Sequence, residues 1–403
     1  MRRLPLEGVT VLELGHLVAG PCCSLILADF GADVIKVERP DQGDQSRSAP
    51  GGNRGLFYLL NRNKRSLAID LKQPEGREIF ILLARKADVI IDNFAPKVLD
   101  RLGIGYEEIS RENPGIIYCS IKGFLPGPYE DRPLLDELAQ MEGGLAYMTG
   151  FPGEPLRAGA SITDIGAATY GSLAIVLALL DREKSGRGQK VQSGLFETVV
   201  FLVGQHMAAA ALTGEEPPPM NVKGARVGSR LRWGIYDKFL TSDGRSVFIG
   251  VTSDSHWGRF CDEFGLKELK DDARLSSNTG RLNEGNWLIP RVQEIVREFT
   301  CEELCEKLNR ASIPFAPVNT PAILSEDKHL NQGGRFLEVA MPDGGLAKMP
   351  KLPLASTSYT FDLRRQPPML GEDTREILRE LGYSDCRISE LERKNVILQR
   401  RYV

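Results

Sequence analysis

Short β-branched runs alternate with helical segments along the first third of the chain. Val9–Leu14, Asp33–Glu38, Ser66–Leu71, Asp88–Asp92 and Gly115–Ile121 read as strands. Between them Cys22–Phe30 reads as a short apolar helix closed by Gly31, and a second helix starts at Pro74 and runs to about Lys86. Proline suits that first turn because its missing N–H has no partner there anyway. A further helix falls at Lys97–Leu102. Near-continuous apolar strands alternating with helices imply a parallel sheet covered on both faces. The pattern predicts an α/β fold, a doubly wound, Rossmann-like large domain over residues 1–220.

Ile165–Leu180 is rich in Ala, Leu and Gly and reads as helix. Leu195–Leu212 is apolar on nearly all sides, which places it between layers or at a subunit interface. Pro217–Pro219 then marks a linker, and the texture changes. Trp233–Val251 holds two strand-like runs joined by Thr241-Ser-Asp-Gly244, a hairpin signal. Helices follow at Trp257–Phe264 and Leu288–Leu308, then a strand at Ile313–Val318. This stretch, 225–330, reads as a smaller α+β domain. A proline-rich passage and a helix at Asp373–Leu381 complete the tail.

With 403 residues the chain is long enough for two or three domains. Lys and Arg total 51 against 54 Asp and Glu, a net charge of −3, so no basic footprint for nucleic acid is present. An apolar share of 42% with 26% charged residues is that of a globular protein. No uninterrupted apolar run reaches the ~18–20 residues of a membrane span, and the charged start has no apolar signal core behind it. The expectation is a cytoplasmic protein without membrane or nucleic-acid partners. Seven scattered cysteines and four separated histidines show neither a disulfide framework nor metal-ligand spacing, so no metal is expected.

Three segments carry candidate chemistry. Gly15-His-Leu-Val-Ala-Gly-Pro21 joins the first strand to its helix, the place where doubly wound sheets bind ligands. It is not Gly-x-Gly-x-x-Gly, and the second strand ends in Glu38-Arg39, so a ligand with extra phosphate fits better than a nicotinamide dinucleotide. Asn61-Arg-Asn-Lys-Arg65 sets three cations before a strand, with Arg47, Lys72 and Arg101 at other element ends. These are either solvated charges or a grip on a polyanion. Gly159-Ala-Ser-Ile-Thr-Asp164 leads into a helix, where Asp164 is either an N-cap or a nucleophile.

Taken together, the chain resembles the family III CoA-transferases, which include formyl-CoA:oxalate transferases, carnitine CoA-transferases and 2-methylacyl-CoA racemases. The resemblance runs through Leu6-Glu-Gly-Val…His-Leu-Val-Ala-Gly-Pro21, Gly31–Pro40, Gly43-Asp-Gln-Ser-Arg47, Asn63-Lys-Arg-Ser66 and Asp92-Asn-Phe94. It continues in Lys184–Gln189 and Pro367-Pro-Met-Leu-Gly-Glu372. It implies a small domain inserted late, a C-terminal return (331–403) to the large domain, and two chains threaded as an interlocked homodimer. It also implies Asp164 as nucleophile, with Asp136 as the acidic residue beside it. The matching CoA contacts are His16, Leu17, Val18, Arg39, Ile69, Asp70, Leu71, Lys72, Asn93, Phe94 and Arg101. Arg47 is the arginine expected to meet a substrate carboxylate.

The implied reaction transfers CoA from an acyl-CoA, with succinyl-CoA as the expected donor, to a carboxylic acid, expected to be a dicarboxylate. It runs through an aspartyl anhydride and an aspartyl-CoA thioester, with CoA thioester as substrate and no resident cofactor. Three departures from the family's pattern bear on this. Gly123-Phe-Leu-Pro-Gly-Pro128 lacks the usual Gly-Gln pair at Leu125-Pro126. Ser229-Arg-Leu-Arg-Trp233 stands where formyl-CoA transferases have a glycine-run lid, which argues against formyl/oxalate exchange. Leu135 stands where racemases place a catalytic histidine, so transferase outranks racemase. A racemase and a catalytically idle CoA-binding homologue are the alternatives.

Overall fold

The computed structural model describes residues 3–220 and 233–400. Six parallel strands, β1 Thr10–Glu13, β2 Asp33–Glu38, β3 Lys64–Ile69, β4 Val89–Asp92, β5 Ile117–Lys122 and β6 Gln189–Gly194, form one sheet with a short antiparallel β12, Ile397–Leu398. The order is β12-β3-β2-β1-β4-β5-β6, so the winding reverses between β1 and β4. Beyond the carboxyl ends at such a reversal, diverging loops leave a crevice.

Strand alternation sends Val11, Val34, Val89, Ile91 and Cys119 into one core, beneath helices α1, Ala19–Asp29, and α4, Ile162–Ser185. Leu12, Ile35, Leu67, Ile90 and Tyr118 point the other way, toward α2, Pro74–Ala84. That second core is completed by α9, Thr374–Glu380, and α10, Asp385–Arg393. The tail is stitched to β3: Ser66 N–H donates to Asp373 Oδ2 at 2.8 Å, and Gly371 N–H donates to Ser66 Oγ at 2.9 Å. β12 and a hairpin, β10 Phe336–Ala340 with β11 Leu346–Pro350, are elements the sequence pattern does not announce.

The chain divides into two compact units, one of residues 1–146, 157–215 and 331–403, the other of 147–156 and 216–330. The second unit contains an antiparallel sheet of β7 Ile235–Leu240, β8 Ser246–Val251 and β9 Phe315–Pro317. Against it pack α6 Asp254–Glu263, α7 Gly285–Val296 and α8 Cys301–Arg310. The single helix expected over Leu288–Leu308 is thus two. Thr300 stops the first by capping the second: Glu303 N–H donates to Thr300 Oγ1 while Thr300 N–H donates to Glu303 Oε2, a capping box.

α4 and α5, Leu195–Thr213, both have the length and apolarity of a membrane span. Counting only uninterrupted runs overlooks this, because a few polar residues break each stretch. α4 packs on α1, β5 and β6. α5 leaves Phe201 73% and Leu212 88% exposed.

Candidate active site

The Gly15–Pro21 loop turns tightly over the end of β1. A Cβ on Gly15 would lie 2.8 Å from the Gly20 Cα, so the loop closes only with glycine at both positions. Asn93, just past β4, clamps the backbone of His16 from both sides: His16 N–H donates to Oδ1 and Nδ2 donates to the His16 carbonyl, each at 2.9 Å. Leu17 sits at φ 60°, a left-handed conformation that costs a non-glycine residue roughly 1–2 kcal/mol. Its N–H donates to Asp44 Oδ1 at 3.1 Å, which helps hold it there.

Beneath the loop lies a buried ionic network. Lys36 and Lys64 pair with the two oxygens of Glu13 at 2.7 and 2.8 Å, and Lys36 also pairs with Asp44 at 2.8 Å. The ammoniums further donate to the Gly15 and Pro21 carbonyls, each at 3.0 Å, fastening both ends of the loop. Burial opposes every one of these charges. The two lysines nonetheless hold the Glu13 carboxyl below its ordinary range, and Glu13 with Asp44 holds the Lys36 proton more tightly than usual. Burial prevails at Lys64, pulled down to about 8 despite Glu13.

Above the network opens a cleft of ≈ 280 Å³. Of the sequence-derived CoA contacts it brings together His16, Arg39, the Ile69, Asp70, Leu71, Lys72 turn and Phe94. The His16 ring lies 5.2 Å from that of Phe94, and burial lowers the imidazole pKa. Leu17 and Val18 instead pack into the α1 core, Asn93 acts through His16, and Arg101 ends the short helix Val98–Arg101, exposed.

Two cation assignments need correction. Arg62, Lys64 and Arg65 are neither solvated nor gathered round a polyanion: Arg62 pairs with Asp29 at 2.7 Å, and Arg65 with Asp33 at 2.6 Å and Glu380 at 2.8 Å. Arg47 is not free for a substrate carboxylate. Its guanidinium grips both oxygens of Glu38 at 2.7 Å, donates to the Pro368 carbonyl and lies 3.8 Å above the Phe57 ring.

Asp164 lies at the third position of α4, so it is not the cap; Ser161 holds that place and makes no side-chain capping bond. The capping comes from α3, Asp136–Glu142, whose first residue is a buried carboxylate. Asp136 Oδ2 accepts from Thr163 N–H at 2.8 Å, Thr163 Oγ1 at 2.5 Å and Asp164 N–H at 3.2 Å. Gln140 Nε2 donates to the other oxygen at 2.6 Å. Among the described residues, none donates a hydrogen bond to the half-buried Asp164 carboxylate itself. Burial, then the Asp136 and Glu137 charges, push its pKa up to about 7, overriding the favourable helix N-terminus. Its charge also reaches α1: burial, then Cys23 and Asp164, push the Cys22 thiol up to about 12. The result is a poorly solvated carboxylate that no described residue partners, the environment in which a carboxylate is most reactive.

The departing loop Gly123–Pro128 is anchored from α5. Phe196 N–H donates to the Gly123 carbonyl at 3.0 Å, and Glu197 Oε1 accepts from Leu125 N–H at 3.1 Å. Leu135, 64% exposed, is the N-cap residue of α3 and carries no proton to transfer. Of Ser229–Trp233, residues 229–232 lie outside the described residues.

The model of CoA-transferase family III matches residues 6–374. A formyl-CoA:oxalate CoA-transferase of Bradyrhizobium diazoefficiens is 36% identical over 97% of both chains. Another of the same name from Rhodopseudomonas palustris is 36% identical over 96% of both. A crystal structure of a CAIB/BAIF family protein from Brucella suis superposes with a TM-score of 0.84, at 31% identity, covering 94% of this chain and all of that one. On that evidence the chain belongs to CoA-transferase family III and is a CoA-transferase.

Proposed function

We propose that this enzyme moves CoA from an acyl-CoA to a dicarboxylate, with Asp164 carrying first the acyl group and then CoA. The observation that carries the reading is the division of labour between two aspartates: Asp136 caps α4, and among the described residues none donates to the Asp164 carboxylate. Asp164 Oδ attacks the thioester carbonyl and expels CoA thiolate, giving a mixed anhydride. The thiolate attacks the aspartyl carbonyl and releases the first acid, leaving an aspartyl-CoA thioester. The acceptor carboxylate displaces CoA to form a second anhydride. CoA then attacks the acceptor carbonyl and frees the Asp164 carboxylate. Each step conserves the activation of the thioester while water is kept out.

The cleft above the Gly15–Pro21 loop is the proposed CoA seat, with Arg39 and Lys72 offering cations to phosphate. The relatives named formyl-CoA:oxalate CoA-transferase support a dicarboxylate acceptor, and succinyl-CoA is the donor we propose. Formyl-CoA and succinyl-CoA should be incubated separately with the protein, then with oxalate and longer dicarboxylates. The expected result is a chain heavier by CoA less water on the Asp164 peptide, converted by hydroxylamine to an aspartyl hydroxamate. An adduct on Asp136 or Glu137 would place the chemistry on the wrong carboxylate.

The proposal includes a homodimer. Leu173 and Leu177 on α4 and Phe201 and Leu212 on α5 are large, exposed and apolar, more than a solvent-facing helix pair ordinarily carries. Sedimentation at nanomolar protein should show dimer only; folded monomers that exchange freely would refute it.

A further inference from the structure

Gln140 is fully buried on α3, and both ends of its amide are committed. Nε2 donates to Asp136 Oδ1 at 2.6 Å, and Oε1 accepts from Ala158 N–H at 2.7 Å, on the strap that leads into α4. We propose that Gln140 is a positioning residue for the nucleophile: it fixes the Asp136 carboxylate as the cap of α4 and thereby keeps the Asp164 carboxylate free and correctly placed. The inference rests on the proposed nucleophilic role of Asp164.

Asp136 has two oxygens, and each has a fixed task. Oδ2 receives the first-turn donors of α4, and Oδ1 receives only Gln140 among the described residues. A donor on Oδ1 is needed because a buried carboxylate oxygen without one is costly, and a rotation of Asp136 would relieve that cost by abandoning the cap. The first turn of α4 would then shift, and Asp164 with it. Oε1 meanwhile ties down the backbone just before that turn. One amide therefore sets the carboxylate and the strap together, offering at those two points the donor and the acceptor that an ionised carboxylate could not both supply.

Gln140→Met keeps the volume and removes both bonds. Without the amide, kcat should fall about 10–100-fold, the scale of an ångström-sized misplacement of a reacting group. KM for the acyl-CoA should stay within about threefold, because the CoA cleft is untouched. Amide hydrogen exchange in the peptide across Ala158–Ile165 should quicken, since Thr163 and Asp164 lose their acceptor. Gln140→Glu gives the sharper readout. When protonated, the carboxyl introduced by that substitution still accepts from Ala158 and donates to Asp136, so activity relative to the wild type at the same pH should be recovered at low pH. Ionisation removes the donor and sets two carboxylates face to face, so the ratio of its kcat to that of the wild type should fall again at higher pH.

The charged and titratable groups on the elements packed round that point include Asp136, Glu137 and Glu142 on α3, Asp164 on α4, Glu197 on α5 and Cys22 on α1. Arg157 on the strap is paired to Glu137, and Glu197 on α5 accepts from Leu125 N–H. The kinetic arm uses the donor and acceptor that the wild type turns over fastest in the formyl-CoA, succinyl-CoA and oxalate panel; the exchange arm needs no substrate. If Gln140→Met does not fold, the isosteric Gln140→Glu carries the test alone. Wild-type exchange, or a Gln140→Glu pH profile parallel to that of the wild type, would overturn the inference. A fully active Asp164→Asn chain would instead sink the nucleophile reading on which it rests.

Discussion

Asp164→Asn is expected to lower turnover by about four orders of magnitude or more, the loss seen when an essential nucleophile is removed, while making the folded protein more stable at pH 8. The second half follows from linkage. The carboxyl titrates at about 7 in the folded chain against an ordinary 3.8. Between those values the folded state binds more protons than the unfolded one, so stability falls as pH rises through the window. Below about pH 3.8 this cost is absent, and above about pH 7 it is complete. At about 1.4 kcal/mol per unit the ceiling is about 4 kcal/mol, reduced to the extent that water reaches the half-buried group. Asparagine carries no charge to desolvate, so the gain in Tm should be largest at pH 8 and shrink toward pH 5. The same titration governs the wild-type rate. Only the anion attacks, so kcat/KM should rise about tenfold per pH unit up to about 7 and then level off. An Asp164→Asn chain with wild-type turnover, or one with no pH-dependent stability gain, would refute the assignment.

The α/β class was legible because β1 to β5 are near-continuous apolar runs, and a strand buried on both faces has no other way to read. The charges inside those strands were not. Glu13, Lys36 and Lys64 look like outward-facing positions, yet Glu13 is the register partner of Lys36, and Lys64 lies one strand further on. A pair formed across 23 residues, and another across 51, becomes visible only when the sheet register is known. The same blindness made the Arg62–Arg65 cations look like a surface feature. Asp164 shows the limit at the site. A lone Asp before a helix is a cap unless another residue takes the cap, and here that residue stands 28 positions upstream. Sequence could mark both aspartates but could not divide the roles between them. The capping box at Thr300 and Glu303, by contrast, is written in the sequence, but the apolar spacing continues across it and masks the break between the two helices.

The largest structural effect should come from Glu13→Gln. Glu13 and Asp44 balance Lys36 and Lys64, so the buried network is neutral when all four are ionised. Glutamine keeps the shape but leaves two buried ammoniums facing one carboxylate, and among the described residues Asp44 pairs only with Lys36. Lys64 then retains the Pro21 carbonyl, Asn61 Oδ1 and a neutral amide. Its pKa is already down to about 8 with Glu13 present, so without that charge it should lose its proton near neutral pH. Removing one member of a buried charge group costs about 3–5 kcal/mol, which denaturant unfolding at pH 7 should register. The damage should also have a functional signature. Lys36 and Lys64 hold the Gly15 and Pro21 carbonyls, so a loosened network frees the loop that floors the CoA cleft, and KM for the acyl-CoA should rise more than kcat falls. Adding Lys64→Met restores the balance of charge and should recover part of the stability, since neighbouring substitutions in one network are not additive. If the double variant is instead as unstable as the sum of its parts, the network is not acting as a unit, and the loop owes its shape to Asn93, the Leu17 N–H bond to Asp44 and the two glycines.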